Sequence, residues 1–192
     1  QGRIECIVDE LGDSYPFVKP EEASDNDIGL VHTDGHIAYV KRLGLVYDMA
    51  KLAVGGTLGA AEVAMNGDPS FALVRPPGHH ASSDSCWGFC YFNNVAVAVQ
   101  KLRQERRINS AVILDFDLHF GDGTSNVFTG VKEVEYYHAP RTETVDSIRS
   151  YLANVGERGI IAVSAGLDRH ELDWGGMLKT EDYREIGEIV WR

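Results

Sequence analysis

The sequence of 192 residues predicts one α/β domain built around a mostly parallel sheet. Apolar runs of strand length alternate with segments of helical periodicity, which is typical of βαβ units. Two runs, AVIL and GIIAV, are almost continuously apolar, as expected for strands that are buried on both faces. No repeat or linker-like segment interrupts the chain, so we predict a single domain over residues 1–192.

The N-terminal part of the chain is predicted to contain four segments before the adjacent histidines His79 and His80. A polar stretch with two prolines is interpreted as a loop, and two short apolar runs, IGLVH and FALVR, as strands. The Ala- and Leu-rich segment between those runs is interpreted as a helix. Its adjacent Gly55 and Gly56 lower helix stability unless another element approaches closely there. In order, the loop, strand, helix and strand cover residues 11–26, 28–32, 46–66 and 71–75.

The C-terminal half begins with an amphipathic helix for which Asn93 is the predicted N-cap. Two strands, a helix and a third strand follow. The last helix runs to the chain end, with Thr180 as cap and acidic residues in its first turn. These elements are predicted at residues 93–106, 111–117, 133–138, 145–155, 159–166 and 180–192.

The formal net charge of −11 disfavours direct contact with nucleic acid or an anionic membrane surface. It is compatible with a cationic substrate such as a lysine side chain or a polyamine, although an acidic surface also serves solubility alone. No apolar run approaches the 18 residues of a membrane span, and no signal peptide is visible. Three cysteines without a CxxC pair are interpreted as reduced thiols, so a cytoplasmic location is predicted.

Histidines and aspartates follow the predicted strands. His79 and His80 come after FALVR, and DFDLH ends the next strand. His138 ends a further strand, and Asp168 follows another. Because the carboxyl ends of parallel strands share one edge of a sheet, we expect these side chains to meet there. A lone histidine, His138 above all, also fits a partly buried residue that only satisfies its own hydrogen bonds.

The spacing Asp-x-Asp-x-His places Asp115, Asp117 and His119 on one face of the chain as the strand ends. Neighbouring buried carboxylates are costly unless a positive charge compensates them, and a divalent cation does so. Asp117 and His119 then supply two ligands, and Asp168 is the natural third. The competing interpretation of this motif is a loop with incidental charges.

Metal-assisted hydrolysis needs a base for the attacking water and an acid for the leaving group. His79 and His80, adjacent on a Pro-Pro-Gly turn, can supply both if their basicity differs. Asp115 and Asp122 remain near the metal, and each can orient one imidazole.

Four segments, FALVRPPGHHA, GFCYFNNVAVA, DFDLHFGDGT and VSAGLDRHELDWGG, together resemble the zinc-dependent histone deacetylase family, with its acetylpolyamine amidohydrolase and acetoin-utilisation relatives. They cover residues 71–176 in the family's order. The resemblance implies a three-layer α/β/α fold of the arginase/deacetylase type. It also implies hydrolysis of an acetyl or other acyl group from an acetylated protein lysine or a small acetylated amine such as an acetylpolyamine.

The resemblance further implies roles for individual residues. It makes Asp117, His119 and Asp168 the ligands of Zn²⁺, with Fe²⁺ as the alternative metal. It pairs His80, the general base and acid, with Asp122, and His79, an electrostatic support, with Asp115. Gly88 and Phe89 would line the tunnel for the acyl-lysine stem. A structural K⁺ would contact Asp115, Asp117 and the carbonyl of His119.

Three departures from the family pattern qualify this expectation. Phe120 stands where the family usually has a second histidine, and the stretch between His119 and Asp168 is short. The family's Gly-Gly-Tyr motif, whose hydroxyl stabilises the oxyanion, does not occur before Arg192. We therefore expect a domain that is incomplete at both ends, and we interpret Tyr183 as a solvent-facing helix residue rather than as that tyrosine.

Two other functions are weighed against deacetylation. The first is a catalytically impaired domain that binds acyl-lysine or another acylated amine and retains the metal. The second is a dimanganese ureohydrolase of the same fold, which needs more Asp and His ligands. The intact pairs of His79 with Asp115 and His80 with Asp122 favour catalysis, because binding alone needs no acid–base pair.

Overall fold

The computed structural model of the protein describes residues 2–191. Eight helices and three strands occur in that range. In chain order they are α1 (Arg3–Leu11), α2 (Asp25–Ile28), α3 (Asp34–Lys41), α4 (Leu45–Met65), α5 (Asn94–Gln104), β1 (Ala111–Asp115), α6 (Asp122–Val127), β2 (Val134–His138), α7 (Thr144–Asn154), β3 (Ile160–Ser164) and α8 (Thr180–Trp191).

The three strands form a parallel sheet in the order β2-β1-β3. All five residues of the central strand β1 are buried, which explains its uninterrupted apolar sequence. In the register of the sheet, Asp115 lies beside His138 of β2 and Ser164 of β3. The carboxyl ends of the three strands are therefore level, and the loops that follow them leave from one edge.

Alternate residues of β1 point to opposite faces of the sheet, and each face has its own hydrophobic core. Ile113 packs with Val99 and other residues of α5 on one face, where α4 covers α5. Leu114 packs with Ile148 of α7 and Ile186 of α8 on the opposite face. The predicted α/β fold with three layers is therefore confirmed.

The paired glycines inside α4 lie where the chain passes against the helix. A Cβ on Gly55 would collide with the backbone of Glu21 and Ala23, and one on Gly56 would come 2.7 Å from Cγ1 of Val74. Only glycine permits this approach, which confirms the expectation that another element lies close to the helix there.

Two predicted strands are wrong. Residues 28–32 form the end of α2 and a turn, because Ser24 and Asp27 make a capping box that starts a helix there. Residues 71–75 have no strand partner, and Phe71 is exposed. Helices α1, α3 and α6 lie in segments for which no helix was predicted.

The other predicted elements occur within a few residues of their expected bounds. Asn93 accepts the backbone N–H of Ala96 and so caps α5 as predicted. The helix α8 has Thr180 as its first residue rather than as its cap. Across residues 2–191, every helix is too short or too polar to cross a membrane.

Candidate active site

Asp117, His119 and Asp168 meet at the carboxyl edge of the sheet. One donor atom of each lies within 4.8 Å of the others. Nδ1 of His119 is 3.2 Å from Oδ1 of Asp117 and 3.0 Å from Oδ2 of Asp168. Two carboxylates and one imidazole within this distance suit a divalent cation such as zinc and leave room for a further ligand. The three residues therefore fit the metal that the sequence motif predicts.

Aspartate carboxylates hold the conformation of the loop after β1 by accepting hydrogen bonds from the backbone N–H groups two residues later. The N–H of Asp117 donates to Oδ1 of Asp115 at 3.0 Å, and the N–H of His119 donates to Oδ1 of Asp117 at 2.8 Å. The segment after β3 touches this loop at Gly166, where a Cβ would collide with Asp117. From there the carboxylate of Asp168 accepts the N–H of Leu118 at 3.0 Å. These contacts explain how residues 50 positions apart converge.

His79 is paired with the fully buried Asp115, with 3.0 Å between Nδ1 and Oδ2. The hydroxyl of Tyr136 donates to the same carboxylate oxygen at 2.9 Å and accepts the N–H of Gly121. Burial lowers the pKa of His79, but the hydrogen bond and charge of Asp115, together with the charges of Asp117 and Asp168, outweigh it. The net pKa of His79 is raised.

His80 is paired with Asp122, with 2.6 Å between Nδ1 and Oδ1. Trp87 donates its indole N–H to the other oxygen of Asp122 at 2.8 Å, and its ring packs 3.8 Å from the ring of His80. Burial lowers the pKa of His80 and its neighbour His79 adds to the effect, so that Asp122 offsets them only in part. The pKa of Asp122 is itself lowered, because its hydrogen bonds from His80 and Trp87 outweigh burial.

The two adjacent histidines therefore differ in basicity although their rings are 4.0 Å apart. His79 is the more basic and sits against a buried charge. His80 has the lower pKa, and its Nδ1 faces a carboxylate, which leaves Nε2 as the nitrogen with a lone pair at neutral pH. This is the difference that an acid–base pair at one site requires.

Hydrogen bonds from the N-cap of α5 stabilise the turn that carries His79 and His80. Asn93 is fully buried, and its amide donates to the carbonyl of Ala81 and to Oγ1 of Thr124. Thr124 in turn donates its N–H to the carbonyl of His79 at 3.0 Å. Asn93 was predicted only as a helix cap. The adjacent pair of asparagines at the helix start was the available signal that its side chain also supports the active-site loops.

Gly88 and Phe89 form the segment beside His80. Both have left-handed backbone angles, with φ of 60° and 62°. A Cβ on Gly88 would lie 2.8 Å from the ring of His80, so only glycine fits there. The side chain of Phe89 is 79% exposed, and such a backbone angle in a bulky residue is uncommon outside functional sites. The segment presents an apolar ring next to the site.

Other aromatic residues surround the three potential ligands. Trp174 is 83% exposed and meets the ring of His119 edge-on at 6.2 Å. Phe120 is half exposed and packs edge-on against Tyr136 and His138. The position that differs from the family pattern therefore contributes an apolar surface rather than a donor atom.

Two further residues differ from simple expectation. His138 places Nε2 3.0 Å from the carbonyl of Asp117, so it satisfies a hydrogen bond beside the site. Tyr183 does not face solvent. It is partly buried against Phe116 and donates its hydroxyl to the carbonyl of Gly166 at 3.3 Å.

Three contributors to the site were missed in the sequence. Trp87, Tyr136 and Arg169 each bond to a predicted site residue. Their signals in the sequence are weak: a tryptophan before a Gly-Phe pair is usually a packing residue, and Arg169 stands out only as the neighbour of Asp168. Each becomes visible only when the sheet brings distant segments together.

Comparison with known proteins places the chain. The family model described as "Histone deacetylase domain" matches residues 44–144, just over half of the chain. A probable deacetylase of Methanothermobacter thermautotrophicus is 38% identical over 162 residues, which are 73% of this chain and 49% of that protein. Histone deacetylase 5 of Arabidopsis thaliana is 36% identical over 72% of this chain and 24% of its own length.

A third relative, the polyamine deacetylase HDAC10 of Rattus norvegicus, is 34% identical over 64% of this chain and 25% of its own length. The chain thus spans about half or less of these relatives. The crystal structure of the HDA15 HD domain superposes with a TM-score of 0.82 at 23% identity, over 97% of this chain and 73% of that one, and it supports the fold. By its sequence match, the chain belongs to the histone deacetylase family.

Proposed function

We propose that the chain carries the active site of a zinc-dependent deacetylase, which hydrolyses the amide of an acetylated amine. One observation supports this above all. Two histidine–carboxylate pairs of different basicity lie beside a group of two aspartates and one histidine that suits a metal ion. Fe²⁺ is the alternative metal, because the oxygen-rich ligand set accepts both.

In this proposal Asp117, His119 and Asp168 hold the metal, which supplies Lewis acidity toward water and the acetyl carbonyl. His80 is neutral at pH 7 and donates Nδ1–H to Asp122. Its Nε2 can therefore accept the proton of the attacking water and return it to the leaving amine. Asp122 holds the imidazole in the required tautomer, and Trp87 keeps that carboxylate in place.

His79 has a different part in the same proposal. The hydrogen bond to the buried Asp115 holds the proton on Nδ1 and favours the imidazolium. Its Nε2 points toward the metal group, 3.9 Å from Oδ1 of Asp117. A positive charge there stabilises the negative charge that develops on the substrate in the transition state.

The proposed substrate is an acetylated lysine of a protein or a small acetylated amine. Gly88 and Phe89 would accept the methylene stem, because the exposed ring of Phe89 offers an apolar face beside His80. The net charge of −11 suits a substrate whose other groups are cationic. Relatives named as histone and polyamine deacetylases support both classes. We propose no direct nucleic-acid or membrane partner.

Cellular location is part of the proposal. Cys6, Cys86 and Cys90 are all unpaired. Free thiols agree with the cytoplasmic location that we propose.

The test measures bound metal and turnover of two probes, a fluorogenic acetyl-lysine peptide and a monoacetylated polyamine. Asp117→Ala is expected to lose both metal and turnover. His80→Ala is expected to keep the metal and lose turnover by about 10²–10⁴-fold. The exposed Asp84→Ala is the control and should change neither.

Each outcome has a distinct meaning. Unchanged zinc content in Asp117→Ala would contradict the assigned metal site. A protein that binds zinc and both probes but turns over neither would support the acyl-amine-binding domain instead. Turnover that survives in His80→Ala would contradict the acid–base role.

A further inference from the structure

Arg169 is a fully buried cation that the proposed reaction does not use. It directly follows Asp168, and its guanidinium contacts the backbone carbonyl of Asp117. Within residues 2–191, no carboxylate oxygen lies within 4.0 Å of its nitrogens. A buried charge is costly unless other groups compensate for it, so this environment requires an explanation.

Neutral oxygen atoms surround the guanidinium. Nε and Nη2 donate to the carbonyl of Asp117 at 3.0 and 2.9 Å, and Nη2 also donates to the carbonyl of Ala139 at 2.7 Å. Nη1 donates to the carbonyl of Pro140 at 2.7 Å and to Oγ1 of Thr144 at 3.3 Å. Three carbonyls and a hydroxyl around a single positive charge resemble the oxygen cage of a monovalent metal ion more than an ion pair.

The oxygens expected to hold K⁺ are largely engaged. The carbonyl of Asp117 accepts from Arg169 and also lies 3.0 Å from Nε2 of His138. Oδ1 of Asp115 accepts the N–H of Asp117, and Oδ2 accepts from Tyr136. A carbonyl has two lone pairs, so little capacity remains for an ion, and the guanidinium would repel it. Two of the three expected ligands, Asp115 and the carbonyl of Asp117, therefore do not fit a potassium ion.

The position of Arg169 links three segments. Its acceptors lie in the loop after β1, in the loop after β2 and at the first residue of α7. Its own backbone carbonyl accepts the N–H groups of Met177 and Leu178. The planar guanidinium donates hydrogen bonds to several carbonyls in fixed directions. A spherical ion can also bind several carbonyls, but it has no preferred direction.

We propose that the guanidinium of Arg169 takes the place of a structural potassium ion and positions Asp117 for metal binding. The inference rests on the proposed metal site. It assigns to Arg169 a positioning role, because the side chain contacts the backbone of a ligand rather than the metal or the substrate. The folded protein should then be indifferent to potassium, and its zinc affinity should depend on this side chain.

The first experiment compares the unfolding midpoint of the metal-free protein in potassium chloride and in tetramethylammonium chloride, each at about 0.1 M. The equal ionic strength makes the screening of charges the same in the two salts. We expect the same Tm in both salts. A Tm higher by about 3 °C or more in potassium would overturn the inference, because this shift corresponds to a specifically bound ion.

The second experiment measures zinc affinity by competition with a chromogenic chelator. Arg169→Met should weaken zinc binding by about 10–100-fold, and Arg169→Lys should recover part of it. Arg158→Ala is the matched control, since Arg158 pairs at the surface with Glu135, and its zinc affinity should equal that of the wild type. Zinc affinity of Arg169→Met within about twofold of the wild type would overturn the positioning role.

The outcomes separate this inference from the proposed function. If Arg169→Met does not fold, the salt comparison and the zinc affinity of Arg169→Lys still decide, and an affinity of Arg169→Lys at or above the wild-type value would count against the inference. If the wild-type protein binds no zinc, the metal site is contradicted, whereas equal Tm values in the two salts would still support the replacement of potassium.

Discussion

Acidification should destabilise the protein through His32, a residue outside the active site. The side chain of His32 is 3% exposed, and its Nε2 accepts the backbone N–H of Asn93 at 2.9 Å. A backbone N–H can only donate, so Nε2 has to be unprotonated in the folded protein. Burial lowers the pKa of His32 to about 4, and the neighbouring His36, whose ring stacks 5.0 Å away, adds to the shift.

The pH window and magnitude follow from this shift. Between the ordinary pKa of 6.5 and about 4, the unfolded chain binds a proton at His32 that the folded chain does not. The contribution of neutral His32 to the free energy of unfolding is therefore fully present above pH 6.5 and is lost as the pH falls toward 4. At about 1.4 kcal/mol per unit of pKa, the full loss is about 3 kcal/mol, and about 2 kcal/mol is lost between pH 8 and pH 5.

Urea denaturation of the wild type and of His32→Gln at pH 8 and pH 5 measures this effect. Glutamine does not titrate and can offer a carbonyl oxygen to the same N–H. Groups remote from His32 titrate equally in both proteins, so the difference between their pH dependences reports His32 together with its coupling to His36. We expect the variant to lose about 2 kcal/mol less than the wild type on acidification. Equal losses in the two proteins would refute the reasoning.

Four further changes test other parts of the molecule. Asp122→Asn should lower kcat for acetyl-lysine hydrolysis by about 10²–10⁴-fold with little change in zinc content, because His80 loses its charged partner; steady-state kinetics within about tenfold of wild type would contradict this. Gly121→Ala would push a methyl group against the carboxylate of Asp115 and should cost about 1–3 kcal/mol in urea denaturation. Gly59→Ala meets nothing within 4 Å, so it should stabilise α4 slightly, and equal effects of the two substitutions would rule out the clash. Removing zinc with a chelator should lower Tm by several degrees, because a bound ion stabilises the folded state, and an unchanged Tm would oppose the metal site.

The sheet and the active-site group could be predicted because their signals are local. The strand β1 has an uninterrupted apolar run, and the Asp-x-Asp-x-His motif follows it directly. The order of strands and helices then determines which loops share an edge. Asp168 could be added for the same reason, since it follows β3 as Asp117 follows β1.

The wrong strands show where local signals fail. The run IGLVH is as apolar as a strand, but the capping box of Ser24 and Asp27 begins a helix just before it. A short apolar run does not distinguish a buried helix end from a strand. The run FALVR has no strand partner in the described fold, although its apolar sequence is typical of a strand.

The supporting residues could not be predicted because their partners are remote. Trp87 bonds to Asp122 across 35 positions, and Arg169 bonds to Asp117 across 52. Nothing in the neighbourhood of either residue indicates such a contact. Sequence motifs therefore identified the reacting groups, whereas the residues that hold them in place required the folded chain.

The long separations within the site have a consequence for how it forms. His79 reaches Asp115 across 36 residues, His80 reaches Asp122 across 42, and Leu118 reaches Asp168 across 50. Contacts of such separation close late, after the chain has paid the entropy of its large loops. The donor atoms are then assembled as a product of folding, so metal should be captured by an already folded chain rather than direct its collapse. Refolding rates should accordingly be the same with and without zinc, while only the unfolding rate slows.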